Sequence, residues 1–401
     1  MKGANDKRLV PELRFPEFKK DWGKNVLRAI IKTITPPKKL QTTEYHKKGI
    51  YPIIDQSKIF ICGLSDDESA LVNKKKEDVV IFGDHTCILK LANFSFIQGA
   101  DGIKIFKSSD PSIVRTGYIY QYLKAFPIGL KEYKRHYSEL KEIIVCYPYN
   151  IIEQEKIAEC LSSIDEEISA MKEKVEQLKI YKKGLMQKLF PAAGKFLPEL
   201  RFPEFKNDGG WKKVILGEAF ERISEKNVNN NRNVLTISAQ YGLVSQYDYF
   251  NKNVAAANIK NYYFIHKGDF AYNKSRSQGY PFGVIKPLRR YDSGVVSTLY
   301  VCFRAKINCC IDFYEQYFDT DLINDEISKI AQEGARNHGL LNISIDDFFN
   351  KIKILVPHSS EQQKIAECLS FIDELISLYE NKVTLLEQHK KGLMQQLFPK
   401  L

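Results

Sequence analysis

The 401-residue sequence contains no run of about 18 apolar residues, so no membrane-spanning helix is expected. Its first residues, MKGANDKRLVPELRF, hold no apolar signal core, and we expect a chain that is not exported. The eight cysteines (62, 87, 146, 160, 302, 309, 310 and 368) form no CxxC pair and have no histidine at metal-ligand spacing. That speaks against a zinc site and for reduced thiols in the cytoplasm. There is no GxxxxGK[ST] phosphate loop. TPPK at 35–38 lacks the acidic or amide residue and the aromatic that flank ProPro in amino-methyltransferases. Asp84 and Lys90 have no carboxylate between them, so they do not make a nuclease motif. His85 and His338 lack a marked Ser or Cys partner and read better as surface or base-contacting histidines. The expectation is therefore no catalytic residue and no metal site in this chain.

What is present is ordinary globular composition, 44% hydrophobic and 27% charged, with a net charge of +11. The excess is uneven. Residues 1–150 carry +9 and residues 192–355 carry +4, while 151–191 and 356–401 carry −1 each. Two separate basic regions suit a polyanion such as DNA.

The chain repeats itself. PELRFPEF occurs at 11–18 and 198–205, and the segment at 153–191 returns at 361–399 with about two thirds of its positions identical. Within the first copy Ile157, Leu161, Ile164, Ile168, Met171, Val175 and Leu178 step by four and three. Ile365, Leu369, Ile372, Ile376, Tyr379, Val383 and Leu386 do so in the second. A sustained 3.5-residue period is a coiled-coil seam. Each helix, at about 37 residues, would reach about 55 Å. The LFP that ends each copy stops the helix. Gly184 and Gly392 near these ends mark a loosened last turn or a close partner contact. We expect the two helices to pair antiparallel, which brings the N-terminal PELRFPEF beside the C-terminal LFPKL. The expected fold is mixed α/β: two α+β lobes joined by two long helices in an antiparallel coiled coil, with pseudo-two-fold symmetry. The expected boundaries are 1–152 for the first lobe, 153–191 for its helix, 192–360 for the second lobe and 361–401 for its helix.

In the lobes, YPIID, DVVIF, TCILKL, GIKIF and EIIVCY read as strands of the first. VLTIS, YYFI, DFAYN, FGVIK and VVSTLYVCF read as strands of the second, and 311–333 reads as helical. KEDVVIF at 76–82 and KGDFAYN at 267–273 sit at comparable depth, and the loops after them gather side chains that hydrogen-bond to base edges. The candidate DNA contacts are Asp84, His85 and Thr86 in the first lobe. In the second they are Asn273, Lys274, Ser275, Arg276, Gln278 and Tyr280, with Gln240, Tyr241, Arg336 and Asn337 as weaker candidates. The same side chains also suit solvated turns. Lys74, Lys75 and Lys76 read as phosphate-facing or solvated.

EQ-x-KIAE-C-L-x-x-ID followed by KKGLMQ-x-LFP, present twice and alternating with unlike lobes, resembles the specificity subunit of bacterial type I restriction-modification systems. The resemblance covers nearly the whole chain. It implies two target-recognition domains, each reading one half of a bipartite, asymmetric duplex DNA site, with the helix pair setting the gap. It implies two modification subunits docked on the helices and methylating adenine with S-adenosylmethionine. Restriction motor-endonuclease subunits using ATP and Mg²⁺ join them. The resemblance places no cofactor in the specificity chain itself. The competing readings are a stand-alone nuclease or methyltransferase, and a coiled-coil scaffold.

Overall fold

A computed structural model describes residues 9–129, 135–238, 241–250, 259–277, 279–306, 309–331, 339 and 341–399. The chain divides into two compact units, Met1–Glu173 with Glu380–Leu401, and Lys174–Tyr379. The division cuts both long helices, so each unit owns one lobe and one half of each helix. No described helix is long and apolar enough to cross a membrane.

Each lobe is built on a four-stranded antiparallel sheet of the same topology. In the first unit the order is Ile31–Ile34, Ile103–Ser108, Val79–Gly83, Leu89–Ala92. In the second it is Phe220–Ile223, Val301–Ala305, Phe270–Asn273, Val284–Pro287. KEDVVIF and KGDFAYN thus supply the equivalent inner strand of each sheet. A strand pair closes each lobe next to its long helix: Trp22–Val26 with Ile144–Pro148, and Lys212–Ile215 with Lys353–Val356. The first lobe adds a five-stranded sheet, in which Phe96–Gly99 pairs parallel to Tyr51–Ile54 and to Lys39–Leu40. The second adds two strand pairs, Leu235–Ser238 with Gly242–Ser245 and Tyr263–His266 with Ser293–Val296.

The long helices run Ile151–Leu189 and Ser359–Leu397. Each starts two residues before the expected boundary. At the first start, the Asn150 side chain accepts a hydrogen bond from the Ile152 amide at 3.0 Å and so caps the helix early. Within the first unit they run antiparallel, with Lys172 bound to Glu387 at 2.7 Å and Lys382 to Glu167 at 2.9 Å. The second unit shows the same order, with Lys182 on Asp373 at 2.7 Å.

The helix ends belong to the lobe cores. Ile157, Leu161, Leu397 and Phe398 pack with Trp22, Tyr118 and Tyr122 in the first unit. Leu189, Phe190, Ile365 and Leu369 pack with Trp211, Phe313 and Tyr317 in the second. The lead-in segments sit where the repeat places them. The Leu13 amide donates to Gln396 O, and the Leu200 amide to Lys188 O, both at 2.9 Å.

Candidate nucleic-acid interface and helix pair

All fourteen seam positions are buried or half-buried, while most positions between them face solvent. That is the burial pattern a helix-pair seam would give. Its two ends do more, since Ile157, Leu161, Ile365 and Leu369 are also lobe core.

A polar fastening, missed in the sequence, is built twice. Arg14 donates through Nε and Nη2 to both carboxylate oxygens of Glu153, at 2.7 and 2.9 Å, and through Nη2 to the Lys20 carbonyl. Arg201 makes the same fork to Glu361, at 2.7 Å twice, and donates to the Asp208 carbonyl. Such bidentate pairs are the strongest and most directional ion pairs proteins use. Beside each glutamate stands a buried glutamine. Gln154 accepts from the Arg115 amide and donates to the carbonyls of Ile113 and Pro148. Gln362 accepts from the Cys310 amide and donates to the Pro357 carbonyl. Arg14 and Arg201 come from the repeated PELRFPEF, and Glu-Gln from the repeated start of each helix. Two motifs that recur together, one basic and one acidic, were the signal.

A second repeated cluster locks the helices. In the second unit Asp373 takes Lys182 and the Gln316 amide, the latter at 2.9 Å. In the first unit Asp165 takes Lys390, Lys124 at 3.0 Å and the Gln121 amide at 3.5 Å. Burial alone would raise the Asp165 carboxyl, but hydrogen bonds from Lys390 and Lys124 outweigh it and hold it below its ordinary value. Burial, with the charge of Lys124 beside it, pulls Lys390 down to about 8.

The structure distributes the candidate DNA contacts unevenly. Asp84 is a correction. It is 3% exposed, and its carboxylate accepts the Tyr137 amide at 2.7 Å, so it caps a short helix inside the lobe. Thr86 is also spent inward, donating Oγ1 to the Gln56 carbonyl at 2.9 Å. His85 stays half-buried, its amide 3.4 Å from Gln56 Oε1. In the second lobe Asn273 ends its strand with Oδ1 accepting the Ser275 amide at 3.1 Å, a side-chain turn. Lys274 is half-buried, and burial lowers its pKa. Arg276 is exposed, with its amide on the Gly339 carbonyl at 2.7 Å. Tyr280 is exposed and closes a small turn with Ser277. The loop returns through Gly283 at φ +83°, where a Cβ would stand 2.2 Å from Asn273 O, so only glycine fits. Tyr241 is 51% exposed and lies under the Arg290 guanidinium, 5.7 Å from ring centre to Cζ. Arg290 is not foreseeable from sequence, because a lone basic residue after a strand carries no pattern. Gln240, Gln278, Arg336 and Asn337, with His338, lie outside the described residues. Among the described residues no three His, Cys, Asp or Glu side chains cluster as metal ligands.

Two lobes of one topology, each fastened by the same Arg–Glu and Gln contacts to a repeated antiparallel helix pair, define a duplicated two-lobe frame. Residues 208–388 match the family model of the type I restriction modification DNA specificity domain. Over 127 residues it is 29% identical to the specificity subunit of the type I restriction enzyme EcoR124I/EcoR124II of Escherichia coli. The match takes in 30% of this chain and 31% of that relative, so it spans less than a third of the relative's length. The crystal structure of a type I restriction-modification S subunit from M. genitalium superimposes with a TM-score of 0.65. That comparison has 17% identity and covers 98% of this chain and 100% of the other, so the likeness is one of fold.

Proposed function

We propose that this chain gives a type I restriction-modification complex its DNA sequence specificity. Each lobe reads one half of a bipartite, asymmetric duplex site, and the continuous helices set the gap between the halves. The helix pair docks two modification subunits, which carry S-adenosylmethionine and methylate adenine. Motor-endonuclease subunits complete the complex with ATP and Mg²⁺. The chain itself supplies recognition and no catalytic group, and it works in the cytoplasm, where the genome lies.

The observation that carries the reading is the pairing of like with unlike. The sheets, the Arg–Glu forks and the helices repeat, whereas the loops after the inner strands do not. A duplicated frame with divergent tips suits two different half-sites better than one palindrome. Docking is supported by an apolar groove of about 450 Å³ on the helices of the second unit, lined by Leu178, Tyr181, Leu185, Phe371 and Leu375. Phe371 and Tyr181 are each 61% exposed there. Exposed aromatics at a concave helix face are what a partner helix buries.

The test is adenine-methylation mapping of a methylation-free host that carries this chain with its modification subunits. The expected result is one two-part motif with a fixed gap. A single uninterrupted motif, or no modified adenine, would refute the proposal.

A further inference from the structure

In the first unit one loop combines an outward apolar tip with a buried tether. Residues 55–61 run beside the edge strand Leu89–Ala92. From that strand Lys90, 4% exposed, donates Nζ to the carbonyls of Asp55 at 2.8 Å and Ile59 at 2.6 Å. An ammonium that gives up its hydration needs such partners, so the loop is held firmly. At one end the Thr86 hydroxyl donates to the Gln56 carbonyl. The Gln56 side chain packs there over Gly102, where a Cβ would meet it at 2.8 Å. At the other end the Phe60 ring lies 6.1 Å from that of Phe94. Fixed in this way, the loop turns Ile59 (66% exposed), Phe60 (40%) and Ile61 (44%) outward.

The surroundings of the tip are cationic. Phe94 adjoins the turn 73–77, because Asn73 Nδ2 donates to the carbonyls of Phe94 and Glu77. That turn carries Lys74, Lys75 and Lys76, all exposed, and Lys58 is exposed on the tip itself. Among the described residues no carboxylate lies within ion-pair distance of these four. Glu77 is taken by Lys107.

A rigid apolar tip among unpaired ammonium groups is complementary to a polyanion that also offers flat apolar surface. Phosphates suit the lysines, and sugars or bases suit Ile59 and Phe60. We infer that residues 58–61 and the lysine turn 74–76 form a duplex-DNA contact surface of the first lobe, with Lys90 as its positioning residue. The inference rests on the DNA-reading function proposed above and adds which residues of this lobe meet the duplex. It moves recognition from Asp84 and Thr86, which face inward, to the loop that Thr86 helps to support.

The experiment uses the full chain with its modification subunits. A random-sequence duplex pool is selected on the wild-type complex, and the chosen duplex is then titrated against Ile59→Ala, Phe60→Ala and the triple variant Lys74→Ala, Lys75→Ala, Lys76→Ala. Each tip variant should bind about tenfold more weakly, as the loss of a buried apolar contact against sugars or a base step does, with its thermal midpoint unchanged. Reselection on the tip variants should relax one half of the motif only. The triple variant should flatten the salt dependence by about one unit of slope for each phosphate that is no longer neutralised. Wild-type affinity and slope in all three variants would overturn the inference. So would unchanged duplex binding with abolished co-sedimentation on phosphatidylserine vesicles, because the tip would then be a membrane anchor. If the wild-type complex bound no duplex at all, the functional proposal would fall first, and the two failures are thereby told apart.

Discussion

One residue distinguishes two otherwise repeated clusters. Gln121, Asp165 and Lys390 in the first unit match Gln316, Asp373 and Lys182 in the second. Three residues after Gln121 stands Lys124, bound to Asp165. Three after Gln316 stands Asp319, which takes Lys286 instead. In this cluster two ammonium groups thus share one carboxylate in the first unit, and one ammonium holds it in the second. Lys390 titrates at about 8 when folded, below the 10.4 of an unperturbed lysine. Between those values the unfolded chain keeps the proton and the folded chain does not, so this group makes stability rise with pH. Lys124 is raised, so its contribution is lost only above the ordinary lysine range. The lowered Asp165 loses its contribution only as pH falls through the carboxylate range. Lys124→Met should therefore let Lys390 titrate higher. From pH 7.5 to 9.5 the wild type should gain about 1 kcal/mol on this variant in guanidinium denaturation. A difference that stays constant with pH would show that Lys124 does not act on Lys390. None of this was legible in the sequence. A period read from apolar positions treats Asp165, Glu153 and Gln154 as solvated flank, although each sits against the lobe that follows or precedes it.

The helices were the most legible elements, because a 3.5-residue period recurs along the whole segment whatever it packs against. The period does not say how far the seam is purely a helix contact. On the period alone, Leu161→Asp spares the lobe, yet Leu161 is fully buried in the lobe core with Trp22 and Tyr118. It should therefore unfold the first lobe, a loss of several kcal/mol. Ile168 is 8% exposed and belongs to no lobe core cluster. Ile168→Asp should loosen the helix pair and leave the lobe intact. Limited proteolysis of the two variants would separate them, and cleavage of both in the lobe would contradict the assignment. In the lobes, runs such as DVVIF and DFAYN were readable because β-branched and aromatic residues fill inner strands. VVSTLYVCF reads as one strand but is two, split by a turn in which the Tyr300 amide returns to Ser297 O. The run 311–333, read as helical, contains two helices, Ile311–Tyr317 and Asp321–Ile330. Trp22–Val26 and Lys212–Ile215 were missed, since their polar sequences are strands only because partners more than 100 residues away complete them.

At the scale of the whole molecule, the two lobes keep one sheet order with little sequence in common. On the proposed function, exchanging residues 19–152 for the corresponding lobe of a type I specificity subunit should change one half of the methylated motif and preserve the other. Methylation mapping of the exchange would show it, and a change in both halves would mean that the lobes do not read independently. The candidate contacts were less legible than this architecture. Turn-forming and base-contacting side chains are the same residue types, and Asn273 takes the first role.

The glutamine at the start of each helix has a consequence for how such a chain can change. Every partner of Gln154 and Gln362 is a backbone amide or carbonyl. A socket that grips only main chain does not register which side chains the gripped segment carries. At this contact a lobe can therefore change its side chains and still seat in the same hold. A lobe can thus diverge without redesign of the joint that presents it.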